Sequence, residues 1–196
     1  DSCITAFCST SDKGDNIDKF TVQGLEAGGA AFCDAISFHP YATPQLSSPY
    51  PADEQIRELR KKLVPFTSAK VWNTELFYLR QADYSDHYTS SLFEAHHAAT
   101  RFLIDLGEGV AQSCPVHIDS VWKKTLHERY QAFNSLNGTD ATFSAIGVAY
   151  NPLARFFEGA EPVDKIRYPN GIICYVFRRD GREIAALWCY GSRRDL

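Results

Sequence analysis

Four short stretches carry side chains that could make and break bonds, and two of them stand out. In KVWNTELF, residues 70–77, an apolar run of strand-like composition ends on a carboxylate, Glu75, and resumes at once with Leu76 and Phe77. In DAISFHPY, residues 34–41, a second apolar run ends on His39 and Tyr41, which flank Pro40 in a stiff turn. A third run ends on Cys8, Ser9 and Thr10, and a fourth near Gln112, Ser113 and His117, with Trp122 shortly after. A carboxylate can act as nucleophile or proton carrier, and phenol and indole faces stack on sugar rings. The set therefore suits a carbohydrate site, provided the fold brings these run-ends together.

The elements that would do so are legible as alternating patterns. Residues 2–8, 34–38, 64–75 and 109–116 each contain a strand-like run, and residues 18–28, 51–63 and 90–106 between them carry helical spacing. In the third helix the apolar positions are Leu92, Ala95, Ala99, Phe102, Leu103 and Leu106. A last helical pattern over 141–159 is interrupted at Asn151-Pro152, where a kink or a split is expected. Strand followed by helix, four times over, predicts parallel βα units, in which the carboxyl ends of the strands share one crevice. All four polar run-ends fall there. After Pro162 the pattern changes to three strands over 164–168, 172–178 and 183–190, joined by the hairpin turns Asn170-Gly171 and Asp180-Gly181.

Composition sets the outer limits. A chain of 196 residues with 44% hydrophobic side chains can bury a core of one domain, or one domain and part of a second. A net charge of −4 with scattered basic residues gives no electrostatic footprint for nucleic acid. No apolar stretch approaches the roughly 20 residues that cross a bilayer as a helix, so no membrane partner is expected. The six cysteines, Cys3, Cys8, Cys33, Cys114, Cys174 and Cys189, form no C-x-x-C pair and are read as buried, reduced thiols. His96 and His97 are adjacent on a helix without an i, i+4 partner, so no metal is expected. Position 1 is Asp and the chain has no Met, which reads as a cut piece of a longer protein.

The order DAISFHPY, a helix containing IRELRKKL, then KVWNTELF resembles the sixth and seventh strand regions of the clan A retaining glycoside hydrolases, enzymes built on a (β/α)8 barrel, in their xylosidase and iduronidase-like branch. The run YNPLARFFEGAEP and the strand-rich segment ending in ALWCYG look like that group's last barrel helix entering a β-sandwich side domain. The resemblance implies an α/β fold: the C-terminal half of a TIM barrel, strands five to eight, over residues 1–160, then a truncated antiparallel β domain over 161–196. It also implies that Glu75 is the nucleophile and that Tyr41 is the tyrosine hydrogen-bonded to it. His39, Tyr41, Asn73, His117 and Trp122 are assigned to substrate binding, with no cofactor. The family's acid/base is a Glu following Asn, and no Asn-Glu pair occurs in this chain. That residue would lie upstream, so the expected partners are a carbohydrate and the missing half-barrel or a second copy of the chain.

Plainer readings compete. Glu75 could open a helix behind Thr74 as N-cap. His39 and Tyr41 could be packed loop residues, Trp122 a buried loop anchor, and Asp83, Tyr84, Asp86 and Tyr88 loop and helix-cap residues that also sit where sugar contacts would lie. Three functions follow: a piece of a retaining glycosidase, a non-catalytic carbohydrate-binding relative, or a self-associating half-barrel.

Overall fold

The structure, a computed structural model, describes residues 2–10, 17–40, 44–45, 48–49, 52–76, 91–115, 145–169 and 171–189. Strands β1 (Thr5–Thr10), β2 (Ala35–His39), β5 (Lys70–Leu76) and β6 (Gln112–Pro115) form one parallel sheet in the order β1-β2-β5-β6. Between β2 and β5 lies a small ribbon of β3 (Pro44–Gln45) and β4 (Ser48–Pro49). Every residue of β2 is buried, as the AISFH composition of a strand covered on both faces requires.

The crossover from β1 to β2 is less regular than the predicted helix. A π-helical turn (Ile17–Val22) runs into the short α1 (Gln23–Glu26) and then a 3-10 turn (Gly29–Phe32). The cause is Phe7. Its backbone has φ 69°, unusual for a bulky residue, and its ring lies where a side chain at Gly24 or Gly29 would stand, 2.3 and 2.7 Å from an added Cβ. Helix α2 (Ala52–Leu63) matches expectation, with Asp53 and Glu54 in its first turn, Arg60, Lys61 and Lys62 in its last, and Ile56, Leu59 and Leu63 buried.

Helix α3 (Ser91–Gly107) is where the predicted one is, but its buried face is only partly the expected apolar stripe. Of the expected apolar positions Ala95 is buried, as are Ala98, Thr100, Arg101, Ile104 and Asp105, whereas Ala99, Phe102, Leu103 and Leu106 are only half-buried. Arg101 and Asp105 claim the inner face because donors and acceptors await them there. Phe102, Leu103 and Leu106 instead line an apolar cavity of about 460 Å³ with Tyr150, Leu153 and Phe157 of helix α4 (Ala145–Phe157). Pro152 lies inside α4, which continues unbroken from Ala145 to Phe157 rather than splitting.

Strands β7 (Glu161–Arg167), β8 (Ile172–Arg179) and β9 (Arg182–Cys189) form a separate antiparallel sheet. Asp180 and Gly181 both take positive φ, the backbone that a tight hairpin of the predicted kind needs, while Asn170 lies outside the described residues. This sheet packs on the helices, and Tyr175, Phe177 and Trp188 join Ile36, Ile56, Leu59 and Ile104 in one continuous core. Gly107 at the end of α3 makes room for the Tyr175 ring, which would stand 2.2 Å from an added Cβ. All six cysteines are free, but only Cys174 is buried: Cys3 and Cys8 are exposed and the others intermediate.

Candidate functional site

Glu75 belongs to β5, so the helix-opening reading is set aside. It stands near that strand's carboxyl end, and His39 closes the neighbouring β2. The two side chains meet: His39 Nδ1 lies 3.1 Å from Glu75 Oε2. The other imidazole nitrogen, Nε2, lies 2.8 Å from Thr74 Oγ1, so one ring contacts two consecutive residues of β5.

A regular strand would send Thr74 and Glu75 to opposite faces. The register explains the exception. Asn73 pairs with Ser113 and Leu76 with Pro115, so three steps on β5 oppose two on β6. The extra residue is a bulge, which bends the strand and re-aims its side chains. Asn73 Oδ1 accepts the Glu75 backbone N–H at 3.3 Å, giving the bulged backbone a partner. Strand β1 carries the same irregularity, with Ala6 opposite Ile36 and Ser9 opposite Phe38.

Behind the rim is a buried polar support. Asp105, fully buried on α3, accepts from Asn73 Nδ2 at 2.7 Å and from Ser113 Oγ at 2.8 Å. Arg101 Nη2 lies 3.5 Å from Asp105 Oδ1 and donates to the Pro40 carbonyl at 3.1 Å. One carboxylate and one guanidinium thus tie the turn after His39 to the strand that carries Glu75. Asn73, expected to touch substrate, is 1% exposed and committed to Asp105 and to the Glu75 backbone. Its part is to hold the rim.

The remaining expected contacts divide. Tyr41, His117 and Trp122 lie outside the described residues, as do Asp83, Tyr84, Asp86 and Tyr88. Gln112 opens β6 rather than closing it and faces the α3–α4 cavity, and Ser9 is turned inward to accept from Thr21 Oγ1 at 2.8 Å. Sequence reasoning missed Arg101 and Asp105. Their signal was there: two charges four residues apart in the otherwise apolar stretch RFLIDLG.

Electrostatically, burial pushes the His39 pKa below the ordinary imidazole value, against the opposing pull of Glu75. His39 is thus a neutral hydrogen-bonding group near pH 7. Burial, reinforced by Asp105 and opposed by Arg101, raises the Tyr150 phenol, so it stays protonated. Among the described residues no three His, Cys, Asp or Glu side chains converge on a point that could hold a metal, and none of their helices is long and apolar enough to cross a membrane.

No protein-family model and no curated protein matches the sequence. Solved structures do. A family 39 glycoside hydrolase from the gut symbiont Bacteroides cellulosilyticus WH2 superposes with a TM-score of 0.57 at 18% identity, over 86% of this chain and 36% of that one. A GH39 β-xylosidase from Caulobacter crescentus gives a TM-score of 0.41 at 11% identity, over 80% of this chain and 34% of that one. What the chain shares with the first is a fold. It spans about a third of the length of either structure.

Proposed function

We propose that this chain carries the nucleophile half of a retaining glycosidase site, with Glu75 as nucleophile. The observation that supports this best is the placement of Glu75: near the carboxyl end of a parallel strand, its carboxylate on the imidazole that closes the next strand, in a fold shared with a glycoside hydrolase. Glu75 would attack the anomeric carbon while the glycosidic oxygen departs with a proton from an acid, and water would then cleave the glycosyl ester. A retaining mechanism places that second carboxyl about 5–5.5 Å from the first. In this reading it comes from barrel strands outside the chain.

The architecture proposed with it is strands five to eight of a (β/α)8 barrel over residues 1–160, and the start of a β-sandwich domain over 161–196. In the described sheet β1 and β6 each have one neighbour, leaving edges that a closed barrel would pair. The partners are a carbohydrate and the complementary half of the barrel. Tyr41, His117 and Trp122 are proposed to line the sugar site with His39.

In the protein with both halves present, Glu75→Gln keeps shape and removes charge and nucleophilicity. Turnover of aryl glycosides should fall by several orders of magnitude while sugar binding persists. Unchanged turnover refutes the assignment. Sugar binding by a wild-type protein that has no turnover would instead favour a carbohydrate-binding relative.

A further inference from the structure

We propose that Thr74 is a positioning residue. With Ser37 and Cys8 it forms a directed chain of hydrogen bonds that holds His39 as the neutral tautomer protonated on Nδ1, so that Glu75 meets a neutral donor and keeps its full negative charge. The tautomer follows from these contacts with Glu75 ionised; the consequence for reactivity rests on reading Glu75 as the nucleophile.

Glu75 Oε2 only accepts, so the proton across the 3.1 Å contact belongs to His39 Nδ1. Nε2 faces Thr74 Oγ1 at 2.8 Å. A threonine hydroxyl has one hydrogen to give. Thr74 Oγ1 is also 2.5 Å from Ser37 Oγ, and Ser37 Oγ in turn accepts from Cys8 Sγ at 3.3 Å. If Cys8 donates to Ser37, Ser37 to Thr74 and Thr74 to Nε2, each hydroxyl donates once and accepts once. The reverse order needs an imidazolium giving its Nε2 proton to Thr74, with the chain ending on a thiol sulfur, a weak acceptor. It would also place a cation in a ring site only 8% exposed.

The backbone is shaped for this chain at both ends. The bulge in β5 brings Thr74 and Glu75, adjacent in sequence, to the same imidazole. The bulge in β1 includes Phe7 at φ 69°, immediately before Cys8. A bulge at each of two strand ends on one hydrogen-bonded chain, one of them with a residue in the left-handed region, marks a site whose side chains are re-aimed by the backbone.

The test uses ¹⁵N-histidine-labelled protein at neutral pH, with the His39 signals assigned from His39→Gln. The expected spectrum shows Nδ1 protonated and Nε2 bare but hydrogen-bonded. Thr74→Val should move the Nε2 resonance toward the value of a bare nitrogen without a donor, and Thr74→Ser should restore it. In the protein with both barrel halves, Thr74→Val should slow covalent labelling of Glu75 by an activated fluorosugar roughly five- to tenfold, with Thr74→Ser near wild type. A protonated Nε2, or an Nε2 signal unmoved in Thr74→Val, overturns the proposal. If wild type itself is not labelled, the nucleophile reading falls while the spectra still decide the tautomer.

Discussion

At the scale of single residues, the rim depends on one buried carboxylate. Asp105 accepts hydrogen bonds from side chains of β5 and β6 and lies beside Arg101, which is itself 5% exposed. Removing one partner of a buried ion pair leaves the other charge uncompensated, which costs about 3–5 kcal/mol. Asp105→Ala should therefore lower the unfolding free energy by about that amount, measured by urea titration. A loss below about 1 kcal/mol would mean that water already supports Arg101. Glu75 and His39 were legible in the sequence because polar groups closing an apolar strand are conspicuous. The charge of Asp105, four residues from Arg101, shows in RFLIDLG, but its role does not until the donors of Asn73 and Ser113, on two strands, face it.

At the scale of elements, the bulged end of β1 rests on glycines. A Cβ at Gly24 would stand 2.3 Å from the Phe7 ring, and the ring is further held edge-on by Phe20 at 6.2 Å between centroids. Gly24→Ala must move Phe7 and with it the backbone leading to Cys8, so overpacking should cost about 1–3 kcal/mol in the same titration. Unaltered stability would show that the strand end gives way freely. The four parallel strands and the three antiparallel ones were readable from apolar runs bounded by turn residues. The bulges were not: an extra residue shows only against a partner strand's register, and Asn73, Thr74 and Glu75 alone do not reveal which of them is out of step. The face of α3 was misjudged for a related reason. Periodicity finds an apolar stripe, but Phe102, Leu103 and Leu106 of that stripe line the α3–α4 cavity, and the polar pair Arg101 and Asp105 takes the sheet side.

At the scale of the whole molecule, a charge cluster built on two buried carboxylates fastens the antiparallel sheet to the helices. Asp53 of α2 is paired with Arg57, Lys165 and Arg167, while Glu108 takes Lys165 Nζ at 2.7 Å and the Tyr175 hydroxyl at 2.5 Å. No sequence window reveals this, since Lys165 and Arg167 lie 112 and 114 residues beyond Asp53. Burial raises the Asp53 pKa, but the hydrogen bond and charge of Lys165, with Arg167 and Arg57, outweigh it and hold the value below the ordinary one. A depressed carboxyl pKa gives stability that is complete above the unfolded value near 4 and is lost as pH falls through the folded value. Asp53→Asn should thus cost roughly 3 kcal/mol at pH 7. The gap to wild type should close as the pH drops below about 4. A gap independent of pH would remove the charge cluster from the account. The central claim, that Glu75 is the nucleophile of a site completed by further barrel strands, is tested most directly in the protein with both halves present. It is treated with mechanism-based fluorosugars of either anomeric configuration, digested, and mapped by mass spectrometry. One stoichiometric glycosyl ester is expected, on Glu75, formed with one anomeric series and absent in Glu75→Gln. A label on any other carboxylate would contradict the claim.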